Sequence, residues 1–359
     1  RKRRTFKGQP STTPSQLSTD HIRVNNVFSY IELSVSNGGL DTIALVIPLF
    51  KRVNSNPAIA ADKFKFAIDF GTTNTHVAYV KNAPGAPFGL NDVEPFAYGE
   101  NDPQMVMFNN KEGVREFGQF TTAVKRELVP LAIGDTIGKF PIRTATYQAV
   151  GNPPNLEMFF NTNIGFNYGE DISRSKAYKT NIKWDRFDNF ANDRMRTFFA
   201  QMLWMMKNKS VLNDCTDNFD LVVTYPISMR DGDFENFKRA WDDAIQNVQC
   251  GVNIRYRTES VAPYYSYLAK LNYGEAYANM DIGGGTSDIL YVNPITGEAN
   301  VFSAFFAAND LWNDGIDRVN MASKANGFVT LYKGTRMTQL GEYAPKIEAV
   351  LNSASSSAD

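Results

Sequence analysis

The chain has 359 residues, with 37 basic and 38 acidic side chains, so its formal charge is −1. That balance supplies no global field toward nucleic acid or an anionic membrane, and 43% hydrophobic content is too high for a disordered chain. The two cysteines, Cys215 and Cys250, exclude a disulfide framework and a four-cysteine zinc site, and read as free thiols of a reducing, cytoplasmic compartment.

Residues 1–20 read as a solvated tail: Arg1-Lys2-Arg3-Arg4 precedes a Ser/Thr/Pro/Gln stretch with little to bury. Residues 21–61 form a small all-β module. Ile31, Leu33 and Val35 alternate with polar residues, Asn37-Gly38-Gly39 supplies a turn, and Thr42 to Phe50 reads as the returning strand. The apolar run from Ile43 to Phe50, with Pro48 inside it, is far short of the ~20 residues of a membrane helix. After a connector, Asn54 to Asp62, come strands at Lys65 to Asp69 and His76 to Val80. Residues 81–180 show no sustained period beyond strand-like pieces such as Met105 to Phe108, and read as an inserted subdomain.

Helical spacing returns between Asn189 and Lys209, where Phe190, Phe198, Met202, Met205 and Met206 make a Met-rich stripe typical of core. Phe219 to Tyr225 reads as a buried strand. Asp233 to Val248 is an amphipathic helix with Gly251 just past its end, and Val252 to Arg257 is a strand. Ser260 to Leu271 reads as a helix that tolerates Pro263 in its first turn. Ala278 to Ile282, Ser287 to Val292 and Ala299 to Phe305 complete the pattern as three strands, with Pro294-Ile295-Thr296-Gly297 turning the chain between the last two. Strands alternating with helices predict a mixed α/β fold.

Two segments resemble each other. Ala67-Ile68-Asp69-Phe70-Gly71-Thr72-Thr73-Asn74 and Met280-Asp281-Ile282-Gly283-Gly284-Gly285-Thr286-Ser287-Asp288 each run from an apolar strand ending in aspartate, through a Gly/Thr turn, into a second strand. Glycines let backbone N–H groups approach phosphate oxygens, and successive amides in a tight turn form an anion-binding nest. Thr72, Thr73 and Thr286 add hydroxyl donors. Asp69 and Asp281 would repel phosphate, but suit the waters of a bound Mg²⁺. No Gly-Lys-Ser/Thr follows either turn, so neither is a Walker loop. Each alone is also compatible with a plain hairpin turn; the pair is what points to polyphosphate.

The pair resembles the phosphate-1 and phosphate-2 motifs of the actin-like ATPase superfamily: actin, the seventy-kilodalton heat-shock chaperones, and the sugar and acetate kinases. Leu221-Val222-Val223-Thr224-Tyr225-Pro226 and Thr258-Glu259-Ser260-Val261-Ala262 resemble connecting segments of the chaperone branch. The resemblance implies a two-lobed, ribonuclease H-like α/β fold with mixed sheets flanked by helices. The first lobe would span residues 62–277, with 81–180 inserted, and a partial second lobe 278–359. Gly71, Thr72 and Thr73 would cradle the ATP phosphates from one lobe, and Gly283, Gly284, Gly285 and Thr286 from the other. Asp69 and Asp281 would hold Mg²⁺ through water, Glu259 would order the metal's water shell or the attacking water, and Asp288 would assist proton handling. Lys183, with Lys179 behind it, is the candidate for the branch's first-lobe lysine. Glu259 also reads as a helix-start carboxylate, and either lysine as a surface residue.

The resemblance implies an ATP-hydrolysing switch that moves a protein partner or effector domain; the charge balance and the short apolar runs add the expectation of no specific nucleic acid and no membrane. A phosphotransferase of the sugar or acetate kinase kind, and a non-catalytic nucleotide-binding scaffold, are the alternatives. Ala307-Ala308-Asn309-Asp310-Leu311-Trp312 departs from the glycine pair of the chaperones, and no adenosine motif is found before Asp359. The expectation is therefore an incomplete second lobe in a piece of a longer polypeptide.

Overall fold

The computed structural model describes residues 28–37, 39–48, 63–82, 92–97, 140–148, 162–165, 178–184, 191–268, 275–308, 339 and 341–346. The expected tail, the connector Asn54 to Asp62, the strand-like piece Met105 to Phe108 and the departure at Asn309 to Trp312 lie outside these residues.

The described residues form a mixed α/β structure. β1 (Ile31–Asn37) and β2 (Leu40–Val46) are an antiparallel hairpin in which Asn37 faces Leu40 across a two-residue turn. Gly39 adopts φ +93°, the left-handed region that such a turn requires. β2 stops at Val46, short of the expected Phe50, ahead of Pro48, which cannot donate to a ladder.

β3 (Lys63–Phe70) and β4 (Asn74–Asn82) are the next antiparallel pair. The short strands β5 (Glu94–Pro95) and β6 (Ile142–Arg143) both pair with β4. β7 (Thr146–Gln148), β8 (Thr162–Ile164) and β9 (Tyr178–Lys179) form a separate sheet in the order β8-β7-β9. Helix α1 (Ala191–Leu212) leads to β10 (Asn218–Tyr225), α2 (Asp231–Val248) and β11 (Gly251–Thr258). β10 lies parallel to β3 and β11 parallel to β10, giving a six-stranded sheet ordered β11-β10-β3-β4-β5 with β6 beside β4. After the short helix α3 (Ala262–Tyr267), strands β12 (Tyr277–Ile282), β13 (Ser287–Val292) and β14 (Ala299–Ala304) form an antiparallel meander. Gly341–Tyr343 is a single 3₁₀ turn.

Period-two alternation decides which way the large sheet faces. Phe64, Phe66, Ile68 and Phe70 of β3 and Phe219, Leu221 and Val223 of β10 point into the core, each 1% exposed or less. The Met-rich stripe meets them: Met195, Phe198, Phe199, Met202, Met205 and Met206 of α1 are buried against that face. α2 adds Phe237 and Trp241, with Trp241 stacked on Phe199 at 4.0 Å between ring centroids. The opposite face, carrying Lys65, Ala67 and Asp69, is left for chemistry.

The termini of α2 and α3 differ from expectation for physical reasons. Gln249, at φ +53°, and not Gly251, makes the left-handed turn that ends α2, its N–H bonding to the Ile245 carbonyl at 2.9 Å. Gly251 already belongs to β11, and a Cβ there would lie 1.6 Å from Asn218 Oδ1. α3 begins only at Ala262, with Pro263 in its first turn, where the missing N–H costs nothing. Among the described residues, no helix is long and apolar enough to cross a membrane.

Candidate functional site

The first Gly/Thr turn joins β3 to β4. Asp69, on the face away from the core, sits opposite Thr224 of β10, whose hydroxyl donates to Asp69 Oδ1 at 3.0 Å. The turn is tight enough that a Cβ on Gly71 would stand 2.4 Å from the Asn74 carbonyl oxygen, so only glycine fits. Thr144 clamps the turn from the loop after β6. Its N–H bonds to the Thr73 carbonyl, and its hydroxyl donates to the Gly71 carbonyl, both at 2.8 Å. The Thr75 hydroxyl lies 2.8 Å from the Thr144 hydroxyl and is the donor of that pair.

The second turn joins β12 to β13. The Gly283 N–H bonds to the Thr286 carbonyl at 2.9 Å, and the Ala308 N–H bonds to the Gly283 carbonyl at 3.0 Å. Thr286 and Gly285 are buried. The reason is contact with the first turn: a Cβ on Gly285 would come within 2.5 Å of Thr72 Oγ1 and 3.1 Å of its Cβ. Two turns far apart in the chain thus meet side chain to backbone.

Asp281 and Asp288 face each other directly across the β12–β13 ladder. Like charges in that position destabilise a sheet. Asp288 is 1% exposed, and its Oδ1 has no hydrogen-bond partner.

Beside the two turns lie Lys183 and Glu259, close enough to the aspartates that Glu259 feels Asp69 and Asp288 and Asp281 feels Lys183. The tight turn Asn181 to Trp184 is built on Asn181 at φ +58°, with the Trp184 N–H on the Asn181 carbonyl at 3.1 Å. It delivers Lys183 Nζ to Glu259 Oε1 at 2.7 Å, with the lysine side chain 1% exposed and the glutamate 12%. The surface-lysine reading of Lys183 is therefore overturned. Glu259 follows β11 directly, its N–H fixed to the Tyr225 carbonyl at 2.9 Å. It is not the cap of α3: Val261 holds that position, with no side-chain cap bond. Lys179 lies on β9 opposite Thr146.

The electrostatics follow from burial. Desolvation pushes the Glu259 carboxyl up to about 7; Lys183 opposes this, while Asp69 and Asp288 add repulsion. Asp281 is also raised, by burial first and then by Asp69 and Asp288, again against Lys183. Among the described residues, four carboxylates share one neighbourhood with one ammonium, which leaves that group short of positive charge. Among the described residues no three His, Cys, Asp or Glu side chains converge closely enough to hold a metal ion directly. The unpartnered oxygen of Asp288 and the facing aspartates fit a hydrated divalent cation held through water.

Sequence reasoning missed three participants. Thr224 and Thr144 act through the cross-strand contacts just described. Trp184 donates its indole N–H to Thr72 Oγ1 at 2.8 Å and meets Phe305 edge-on at 5.0 Å. Nothing in the local pattern of Asn181-Ile182-Lys183-Trp184 signals this, because its partners are remote in the chain.

No family model matches the chain, and no curated protein matches it. Among solved structures, it is similar to MreB5 of Spiroplasma citri bound to ADP, with a TM-score of 0.37 and 14% identity, over 70% of this chain and 55% of that one.

Proposed function

We propose that the chain binds Mg-ATP between its two Gly/Thr turns and hydrolyses it, acting as a nucleotide-driven switch of the actin-like, heat-shock-chaperone-like kind. One observation carries this reading: the contact of the two turns, Gly285 against Thr72, beside a buried Lys183–Glu259 pair faced by Asp69, Asp281 and Asp288. A structural ion-pair network would not need two glycine turns packed on each other, nor a buried aspartate oxygen left without a donor.

In this reading the turns at residues 71–73 and 284–286, with the hydroxyls of Thr72, Thr73 and Thr286, hold the phosphates, while the Gly283 N–H stays on the Thr286 carbonyl and shapes the second turn. Asp69, Asp281 and Asp288 receive the water shell of Mg²⁺, which when bound would neutralise charge on the phosphate oxygens. Glu259, with its carboxyl near neutrality, is matched to accept a proton from, and orient, an attacking water. Lys183 stabilises the negative charge beside it. Phosphoryl transfer asks the protein mainly for such positioning and charge.

The test is phosphate release from Mg-ATP by the chain and by Glu259→Gln. Loss of turnover with ATP affinity nearly intact supports the assignment, because only the transition state loses the interaction. Transfer to an added acceptor without free phosphate would instead make it a phosphotransferase, and binding without turnover a scaffold.

A further inference from the structure

The turn Asn181 to Trp184 sends two neighbouring side chains to different destinations. Lys183 goes to Glu259 at the end of β11, and Trp184 goes to Thr72 at the end of β3 and to Phe305 just past β14. One indole therefore touches the first Gly/Thr turn, on the large sheet, and the margin of the three-stranded sheet. Its N–H is a donor only. The Thr72 hydroxyl that accepts it keeps its own O–H to give away, and the backbone of Gly285 packs on the same side chain. Thr72 is held on one side by a hydrogen bond and on the other by contact.

We propose that Trp184 is a positioning residue that aims the Thr72 hydroxyl at a phosphate oxygen and couples that contact to the seating of the three-stranded sheet through Phe305. The inference rests on the phosphate-binding role proposed above for Thr72. An indole N–H that merely needed an acceptor could use any carbonyl. Here it uses a hydroxyl whose remaining proton stands at the junction of the two turns.

The experiment is a calorimetric titration of Mg-ATP into the whole chain and into Trp184→Phe, Thr72→Val, the double variant and Phe305→Leu, with thermal unfolding of each alongside. Trp184→Phe keeps an aromatic ring against Phe305 and removes the donor together with part of the indole's packing area, which the melting temperature reports. It and Thr72→Val should each weaken binding about tenfold, and the double variant should bind no more weakly than Thr72→Val alone, since the indole acts through that hydroxyl. Phe305→Leu, at a half-exposed position, leaves hydroxyl and indole intact and should weaken binding about threefold. It carries the test if Trp184→Phe does not fold. Additive losses in the double variant, unchanged affinity with a lowered melting temperature in Trp184→Phe, or unchanged affinity in Phe305→Leu would each overturn the coupling while leaving the ATP reading standing. No binding of Mg-ATP by the unmutated chain would overturn both.

Discussion

Glu259 keeps its proton far more tightly in the folded chain than a free glutamate does, its carboxyl standing at about 7 against an ordinary 4.5. A carboxyl raised in this way favours the native state while protonated. The contribution is present in full below the ordinary value and is lost as the pH rises through about 7. At ~1.4 kcal/mol for each pH unit between the two values, the linkage is on the order of 3 kcal/mol. Asp281, raised by burial and by its aspartate neighbours, acts in the same direction. Stability measured by urea unfolding without nucleotide or divalent cation should therefore fall between about pH 5 and about pH 8. Glu259→Gln cannot ionise, so its profile over that range should be flatter, and the difference between the two chains reports Glu259 together with its coupling to Asp69, Asp288 and Lys183. Equal slopes for the two chains, or no fall in the unmutated one, would refute the argument that burial and carboxylate repulsion govern this residue.

Three further outcomes follow from the same geometry. Mg²⁺ should raise the melting temperature more near pH 8 than near pH 5, because only the ionised cluster lacks positive charge; an equal effect at both would count against a cation site there. Asp281→Asn should weaken Mg²⁺-dependent ATP binding by about 1–3 kcal/mol in calorimetry, the scale of charge-assisted hydrogen bonds, and unchanged affinity would falsify its role. Gly285→Ala forces a methyl to within 2.5 Å of Thr72 Oγ1, so one turn must retreat. A loss of about 1–3 kcal/mol in stability or ATP affinity is expected, and a silent substitution would mean the turns are not held together.

Hairpins were readable in advance because both their signals are local. Alternation marks β1, while apolar strands interrupted by Gly/Thr turns mark β3 with β4 and β12 with β13. The inward face of α1 was equally legible from its methionines and phenylalanines, since helical spacing forces them onto one side. The Lys183–Glu259 bond was not, because it joins a tight turn to a strand end far along the chain, and either residue alone reads as ordinary surface charge. Trp184 was invisible for the same reason. Gln249 was missed on different grounds: a glycine two residues later looked like the better helix terminator, yet that glycine is needed where β11 passes Asn218. The segment around β5 to β9 offered no period to read, its strands being two or three residues long and paired only through tertiary contacts.

The parallel pairing of β10 and β11 has a geometric consequence for the candidate site. Asn218 is level with Gly251 at one end, and Tyr225 with Thr258 at the other, over eight residues in each strand. The packing of Gly251 on Asn218 is thus the origin from which the place of Glu259 is counted. Deleting one residue anywhere in β11 would draw Glu259 back by about 3.3 Å and turn it to the other side of the sheet. That displacement exceeds the 2.7 Å bond to Lys183, so a length change at the far end of the strand would disarm the site without altering any residue in it. Substitution and deletion in β11 should therefore have very different tolerances, the first set by side chains and the second by arithmetic.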